Sequence, residues 1–205
     1  MKKLITLSAS LFLAGCSMIG IRNYDEPGYT VLLEQDGVQI RQYPPVLLAE
    51  TLVQADYKAS GSIGFKRLAG YIFGNNIKRQ NMPMTTPVYR EAASEDISMT
   101  APVLQQPQGG QWLMSFVMPA QYTLATLPEP IDKTITLREV PAKKVAVLRY
   151  SGSLDQEAIT AHSQTLTAWL QAHHYTALSP ARSAAFDPPW TIPMLRRNEI
   201  HIDIQ

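Results

Sequence analysis

The sequence predicts an α+β domain made from a duplicated unit, a pseudo-two-fold and distorted antiparallel β-barrel flanked by two helices. Three observations predict it: an internal repeat, short runs that alternate apolar and polar, and one amphipathic helical stretch in each half. Val38, Ile40, Arg41, Pro44 and Ala49 recur at one offset as Ile135, Leu137, Arg138, Pro141 and Ala146. A second block, Pro83 to Arg90, lines up with Pro189 to Arg196 at both prolines, the threonine and the arginine. Repeats of this kind set the architecture before any single element is assigned. The halves run from about residue 29 to 118 and from about 134 to 204.

Each half reads as strand, strand, helix, strand, strand. Tyr29 to Leu33 and Val38 to Arg41 alternate around Asp36-Gly37, which is a hairpin signal. After Pro44-Pro45, Val46 to Val53 continues in extended form. Ile63, Leu68, Ala69, Ile72 and Phe73 recur near helical spacing, and Gly74-Asn75-Asn76 supplies the stop. Ser98 to Leu104 and Trp112 to Met118 read as strands around Gly109-Gly110. In the second half, Thr134 to Val140 and Val145 to Tyr150 are strands, and Asp155 to His173 is a helix whose apolar side carries Ala158, Ile159, Leu166, Trp169 and Leu170. The last strand, Glu199 to Ile204, sets three isoleucines on one face and Glu199, His201 and Asp203 on the other. Pro87, Pro102 and Pro193 fall within strand-like runs. Proline cannot donate to a ladder, so those strands belong at edges or bulges, as in a distorted barrel.

The first fifteen residues read as a targeting signal. Lys2 and Lys3 precede an apolar run from Leu4 to Ala14, and Leu13-Ala14-Gly15-Cys16 is a lipobox. That run is too short to span a bilayer, which takes about 20 residues, so it reads as a cleaved signal peptide (1–15). Cys16 is then the lipidation site, residues 16–27 form a tether, and residues 28–205 form the folded domain. Ser17 follows Cys16 where an aspartate would favour the inner membrane, so the expected place is the outer membrane, facing the periplasm. Cys16 is the single cysteine in the chain, which excludes an intramolecular disulfide and cysteine-based zinc or c-type haem attachment. Removing Lys2 and Lys3 from the 18 basic residues leaves the mature chain close to neutral against 17 acidic ones. A nucleic-acid partner needs a clustered basic excess and is disfavoured. No Gly-x-Ser-x-Gly elbow, His-Glu-x-x-His helix or glycine-rich phosphate loop is present, so the expectation is a non-catalytic protein.

Six fragments in order resemble the SOUL haem-binding family over Tyr29 to Ile204. They are Val38-Gln39-Ile40-Arg41-Gln42-Tyr43-Pro44; Phe65-Lys66-Arg67-Leu68 with Tyr71-Ile72-Phe73-Gly74-Asn75-Asn76; Met84-Thr85-Thr86-Pro87-Val88; Ile97 to Val103; Phe116-Val117-Met118-Pro119; and Phe186-Asp187-Pro188-Pro189 followed by Arg197-Asn198-Glu199-Ile200. The resemblance implies a barrel flanked by two helices, related to the effector-binding domains of drug-responsive regulators. It also implies haem or a similar tetrapyrrole as cofactor and partner, held for carriage or buffering. In the family axial ligation is not uniform, and no ligand histidine is carried over.

Haem binding needs an apolar slot and, usually, an axial side chain. His162, His173 and His201 are the candidate iron ligands. His162 and His173 share the helix face of Leu166 and Trp169, and the plainer alternative for both is a hydrogen-bonded imidazole beside the core. His201 either lines a cavity or faces solvent, and it stands where the family often carries tryptophan. Met84 and Met99 belong to a methionine-rich stripe that suits either a porphyrin slot or ordinary core. Glu199, beside Arg196 and Arg197, is either a surface ion pair or a carboxylate at the floor of a pocket. Arg197 is the candidate partner of haem propionates. The competing function is a binding module for amphipathic or cationic small molecules, received by Glu199 and reported by Trp190.

Overall fold

The computed structural model describes residues 25–78 and 94–205. The lipobox with Cys16, Met84, Pro87 and the block Pro83 to Arg90 lie outside the described residues. The chain divides into two compact units. One holds Val31–Arg41 and Lys144–Gln205, and the other holds Asp25–Thr30 and Gln42–Lys143.

The first unit begins with the hairpin of β1 (Thr30–Gln35) and β2 (Val38–Tyr43). Asp36 and Gly37 turn it with φ of 51° and 77°. Both central residues of such a two-residue turn need positive φ, which Asp-Gly supplies at low cost. Strand β9 (Lys143–Tyr150) runs antiparallel to β11 (Asn198–Ile204), with Ile200 opposite Leu148 and His201 opposite Val147. On the other side of β11, β10 (Arg182–Ala185) places Arg182 opposite His201. The second-half helix, here α2 (Gln156–Ala172), starts at Asp155, whose carboxylate accepts the Ala158 amide at 2.8 Å. It ends at His173, and His174 takes a φ of 59°. Leu166, Trp169 and Leu170 from α2 pack with Val38, Ile40, Ala146, Ile200, Ile202 and Ile204 in one core.

The second unit is centred on β3 (Val46–Val53). It pairs antiparallel with β6 (Gln111–Val117) on one side and β8 (Ile135–Val140) on the other. A Gly109-Gly110 turn, φ 57° and 77°, joins β5 (Val103–Gln108) to β6. Helix α1 (Tyr57–Ile72) is capped by Asp56, which accepts the Ala59 amide at 2.8 Å. A short pair, β4 (Asn76–Ile77) with β7 (Glu129–Pro130), completes the unit. Leu47, Ala49, Leu68, Tyr71, Ile72, Ile97, Met114, Phe116 and Met118 form its core.

Both units are α+β with antiparallel strands and one helix. In neither unit does the sheet close into a barrel, which corrects the expected barrel. The prolines that suggested closure are placed differently. Pro102 precedes β5, and Pro193 opens a 3-10 turn, Pro193–Leu195.

Helix α1 buries Leu68 and Ile72 and packs Ala69 against the core, as its apolar spacing marks, but its buried face also takes in small residues and leaves Ile63 and Phe73 out. Ile63 is 40 % exposed and Phe73 lies outside the core, while Ser60, Gly64, Leu68, Tyr71 and Ile72 are buried. The cause is close approach. A methyl group on Gly64 would stand 3.0 Å from Met114 Cβ, and Gln105 donates to Ser60 Oγ at 3.0 Å. Small residues let the helix sit against the sheet, and hydrophobic spacing does not register them.

Candidate functional site

In the first unit, β11 is buried on both faces. Its isoleucines meet α2, and Glu199 and His201 are buried on the opposite side, Glu199 completely (0 % exposed). A carboxylate taken fully out of water must be compensated. Arg41 from β2 donates to it through Nη1 at 2.9 Å and Nη2 at 3.2 Å, in the fork geometry that suits a carboxylate. Arg197 adds its Nε at 2.9 Å, and His201 Nε2 lies 2.8 Å from the other oxygen. Arg41 is itself held by Gln39 at 2.8 Å, and Gln39 by Glu34 at 3.0 Å. The Arg197 guanidinium also lies 3.8 Å over the Phe186 ring. Beside the cluster, Arg182 pairs with Asp203.

Burial alone would raise the Glu199 carboxyl. The hydrogen bonds and charges of His201 and Arg41 outweigh it and hold the group well below the carboxylate range. Burial pushes His201 below the ordinary imidazole value; Glu199 opposes this, and Arg182 and Arg41 reinforce it. An ionised Glu199 can only accept, so His201 donates its Nε2 proton to it. Glu199 is no surface pair, and its oxygens are already engaged by the protein's own cations. His201 lies in that network and not at a solvent face.

The second unit repeats the pairing with looser burial. Arg138, the repeat partner of Arg41, donates to buried Glu50 through Nε and Nη2, both at 2.9 Å, and Ser115 donates to the same carboxylate at 3.0 Å. The Arg138 side chain is 51 % exposed. Arg41 and Arg138 were visible as a repeated arginine, yet their common task of holding a buried glutamate was not, because Glu199 and Glu50 are not at repeated positions.

The other candidates are dispersed. His173 caps α2, with Nδ1 2.8 Å from the Trp169 carbonyl, its ring stacked at 4.0 Å on Trp169, and Nε2 3.3 Å from Gln35 Nε2. His162 is half-buried on the flank of α2 and stacks on Tyr150 at 3.9 Å. Among the described residues no hydrogen bond reaches the His162 ring nitrogens. Met99 packs half-buried against the second unit's core. Trp190 is 62 % exposed. The described residues contain no group of three or more histidine, cysteine or carboxylate side chains arranged to hold a metal ion.

The second unit also contains a cavity of about 430 Å³ that no sequence signal marked. Leu47, Val117, Met118 and Pro119 are buried in its wall, Pro44 and Pro45 flank it, and Asp25, Glu26 and Glu139 line it as well.

The C-terminal domain of EcmrR aligns over 86 % of this chain and 98 % of its own length, at 12 % identity and a TM-score of 0.55. EcmrR in a complex with DNA aligns over 82 % of this chain and 57 % of its own, at 12 % identity and 0.53. A hydrolase from Listeria innocua aligns over 85 % and 94 %, at 9 % identity and 0.51. At such identities the likeness is one of fold alone. Comparison with the curated proteins gives no match. The family profile described as SOUL heme-binding protein matches residues 24–203, so the fragments, the fold and this match agree that the chain belongs to the SOUL heme-binding protein family.

Proposed function

We propose that this protein binds haem or a related tetrapyrrole without transforming it, as a carrier or buffer tethered to the cell envelope. Family membership supports the ligand class, and the state of His162 carries the reading for this chain. Of the three histidines considered as iron ligands, His201 is spent on Glu199 and His173 is spent on the end of α2. Among the described residues His162 keeps an imidazole edge without a hydrogen bond, while Tyr150 stacks on its ring. Ile159 and Leu166 lie three before and four after it, on the same side of the helix. Haem would supply an iron centre that takes one such nitrogen, and the chain would supply orientation and an apolar, aromatic flank. The cavity of the second unit suits haem poorly, because its carboxylates would repel the propionates.

Titrating the full chain with hemin is expected to give a saturable Soret shift at equimolar ratio. His162→Ala should change the position of the bound Soret band, while His173→Ala should leave it in place. A linear, unsaturable response would end the haem reading. A wild-type spectrum in His162→Ala would end the axial assignment alone.

The tether is the second part of the proposal. Among the described residues no helix is long and apolar enough to cross a membrane, and the lipobox offers another means of attachment. Acylation of Cys16 at thiol and amino group would supply the two or more chains that lasting anchorage needs. Metabolic labelling with palmitate should mark the wild type and leave Cys16→Ser unlabelled; equal labelling of both would remove the anchor.

A further inference from the structure

The cavity of the second unit has features that haem recognition leaves unused. Its wall is apolar where it is buried, from Leu47 on β3 and from Val117, Met118 and Pro119 at the end of β6. Asp25, Glu26 and Glu139 are the carboxylates that line it, and no lysine, arginine or histidine is among its described lining residues. The placement of two of these acids is set by the backbone. The Asp25 carbonyl accepts the Ala101 amide at 3.0 Å, and Glu139 sits opposite Leu47 in the β3–β8 ladder.

A second, independent observation comes from Thr100, which also lines the cavity. The residue is 5 % exposed, and its hydroxyl has no hydrogen-bond partner among the described residues. A buried hydroxyl left without a partner costs about 1–3 kcal/mol, and such groups in a native fold call for an explanation. Tyr122 adds an aromatic ring to the lining. Its hydroxyl donates to Glu95 at 2.7 Å, and burial together with Glu95 raises its pKa to about 12, so the phenol stays neutral. A neutral phenol ring offers a cation its negative face.

We infer that this cavity is a binding site for a small primary ammonium ion with an aryl or alkyl body. The apolar wall takes the body, the carboxylates take the charge, and the Thr100 hydroxyl accepts one ammonium proton. The volume falls within the ordinary range of about 300–1,000 Å³ for small-molecule sites. Selectivity follows from charge: an organic anion of the same shape meets three carboxylates and is rejected.

The test is an amide chemical-shift titration of the full chain with 2-phenylethylammonium, 2-phenylethanol and 3-phenylpropionate. The ammonium probe is expected to shift Thr100, Val117 and Met118 saturably, the alcohol to bind about tenfold more weakly, and the anion to produce no shifts there. The double variant Asp25→Asn/Glu139→Gln should lose about tenfold in ammonium affinity and keep the wild-type hemin titration. Thr100→Val should raise the melting temperature, since it removes an unpartnered hydroxyl, and should weaken ammonium binding. Equal affinity for ammonium and alcohol, shifts confined to other regions, or undiminished ammonium affinity in the double variant would each overturn the assignment. Hemin binding is read separately in the same variant, so failure here is distinguishable from failure of the haem reading.

Discussion

Glu199→Gln is expected to destabilise the protein by about 3–5 kcal/mol, the cost of leaving buried cations without their counter-charge. The amide keeps the volume of the carboxylate, so packing is spared and charge is what changes. Arg41 and Arg197 then face a neutral group that must also present an NH2 toward one of them. For a domain of this size each kcal/mol moves the midpoint by about 2–4 °C, so thermal melting should fall by roughly 10 °C. Arg41→Met/Glu199→Leu should recover part of that loss, because it spares the uncompensated charge at Arg41, while Arg197 still lacks its partner. Glu50→Gln in the second unit should cost less, since half-exposed Arg138 can turn to water. Melting within 2 °C of wild type for Glu199→Gln, taking about 2 °C as the resolution of such a shift, would show that the cluster does not hold the first unit together.

Stability is expected to fall on acidification, through the same cluster and with a defined order. His201 and Glu199 both have folded-state pKa values below their ordinary ones. Between its folded and unfolded values each group binds more protons in the unfolded chain, so stability rises with pH there. The contribution of His201 is complete above its unfolded value, about 6.5. It is lost as pH falls from there toward the folded value. Glu199 follows below its unfolded value near 4.5. Each unit of depression corresponds to about 1.4 kcal/mol. The charged groups facing His201 are Glu199, Arg182 and Arg41, and both arginines oppose its protonation. Urea melts should therefore give a lower midpoint at pH 5.5 than at pH 7.5. His201→Gln keeps a side-chain N–H donor without a titrating ring, and its midpoint should change less over that interval. Equal midpoints for the wild type at both values, or an undiminished slope in the variant, would refute this.

Much of the local structure was legible because its causes lie within a few residues. Asp36-Gly37 and Gly109-Gly110 marked hairpin turns that only positive φ permits, and both turns stand at those positions. Asp155 marked the start of the second helix through its own side-chain cap. Val46 to Val53 was read as a strand and is one. On α1, Leu68 and Ile72 were legible as buried, but Ser60 and Gly64 were not, because they are buried for being small, and size complementarity to Met114 and Gln105 belongs to the sheet across from them. Ser98 to Thr100 alternates like a strand, but of these residues only Thr100 makes a bridge, to Asp25, while β5 begins at Val103.

The candidate site divides along the same line. From its residues alone the chain predicts an α+β fold and its family, since periodicity, turn chemistry and ordered fragments are written in the order of residues. Tertiary structure alone decided that Glu199 is buried and already held by Arg41, Arg197 and His201, that among the described residues the His162 ring makes no hydrogen bond and stacks on Tyr150, and that carboxylates from Asp25 to Glu139 line one cavity. Those facts depend on strands and loops far apart in sequence meeting across a sheet. Burial, charge compensation and cavity lining are properties of that meeting, and no local pattern encodes them.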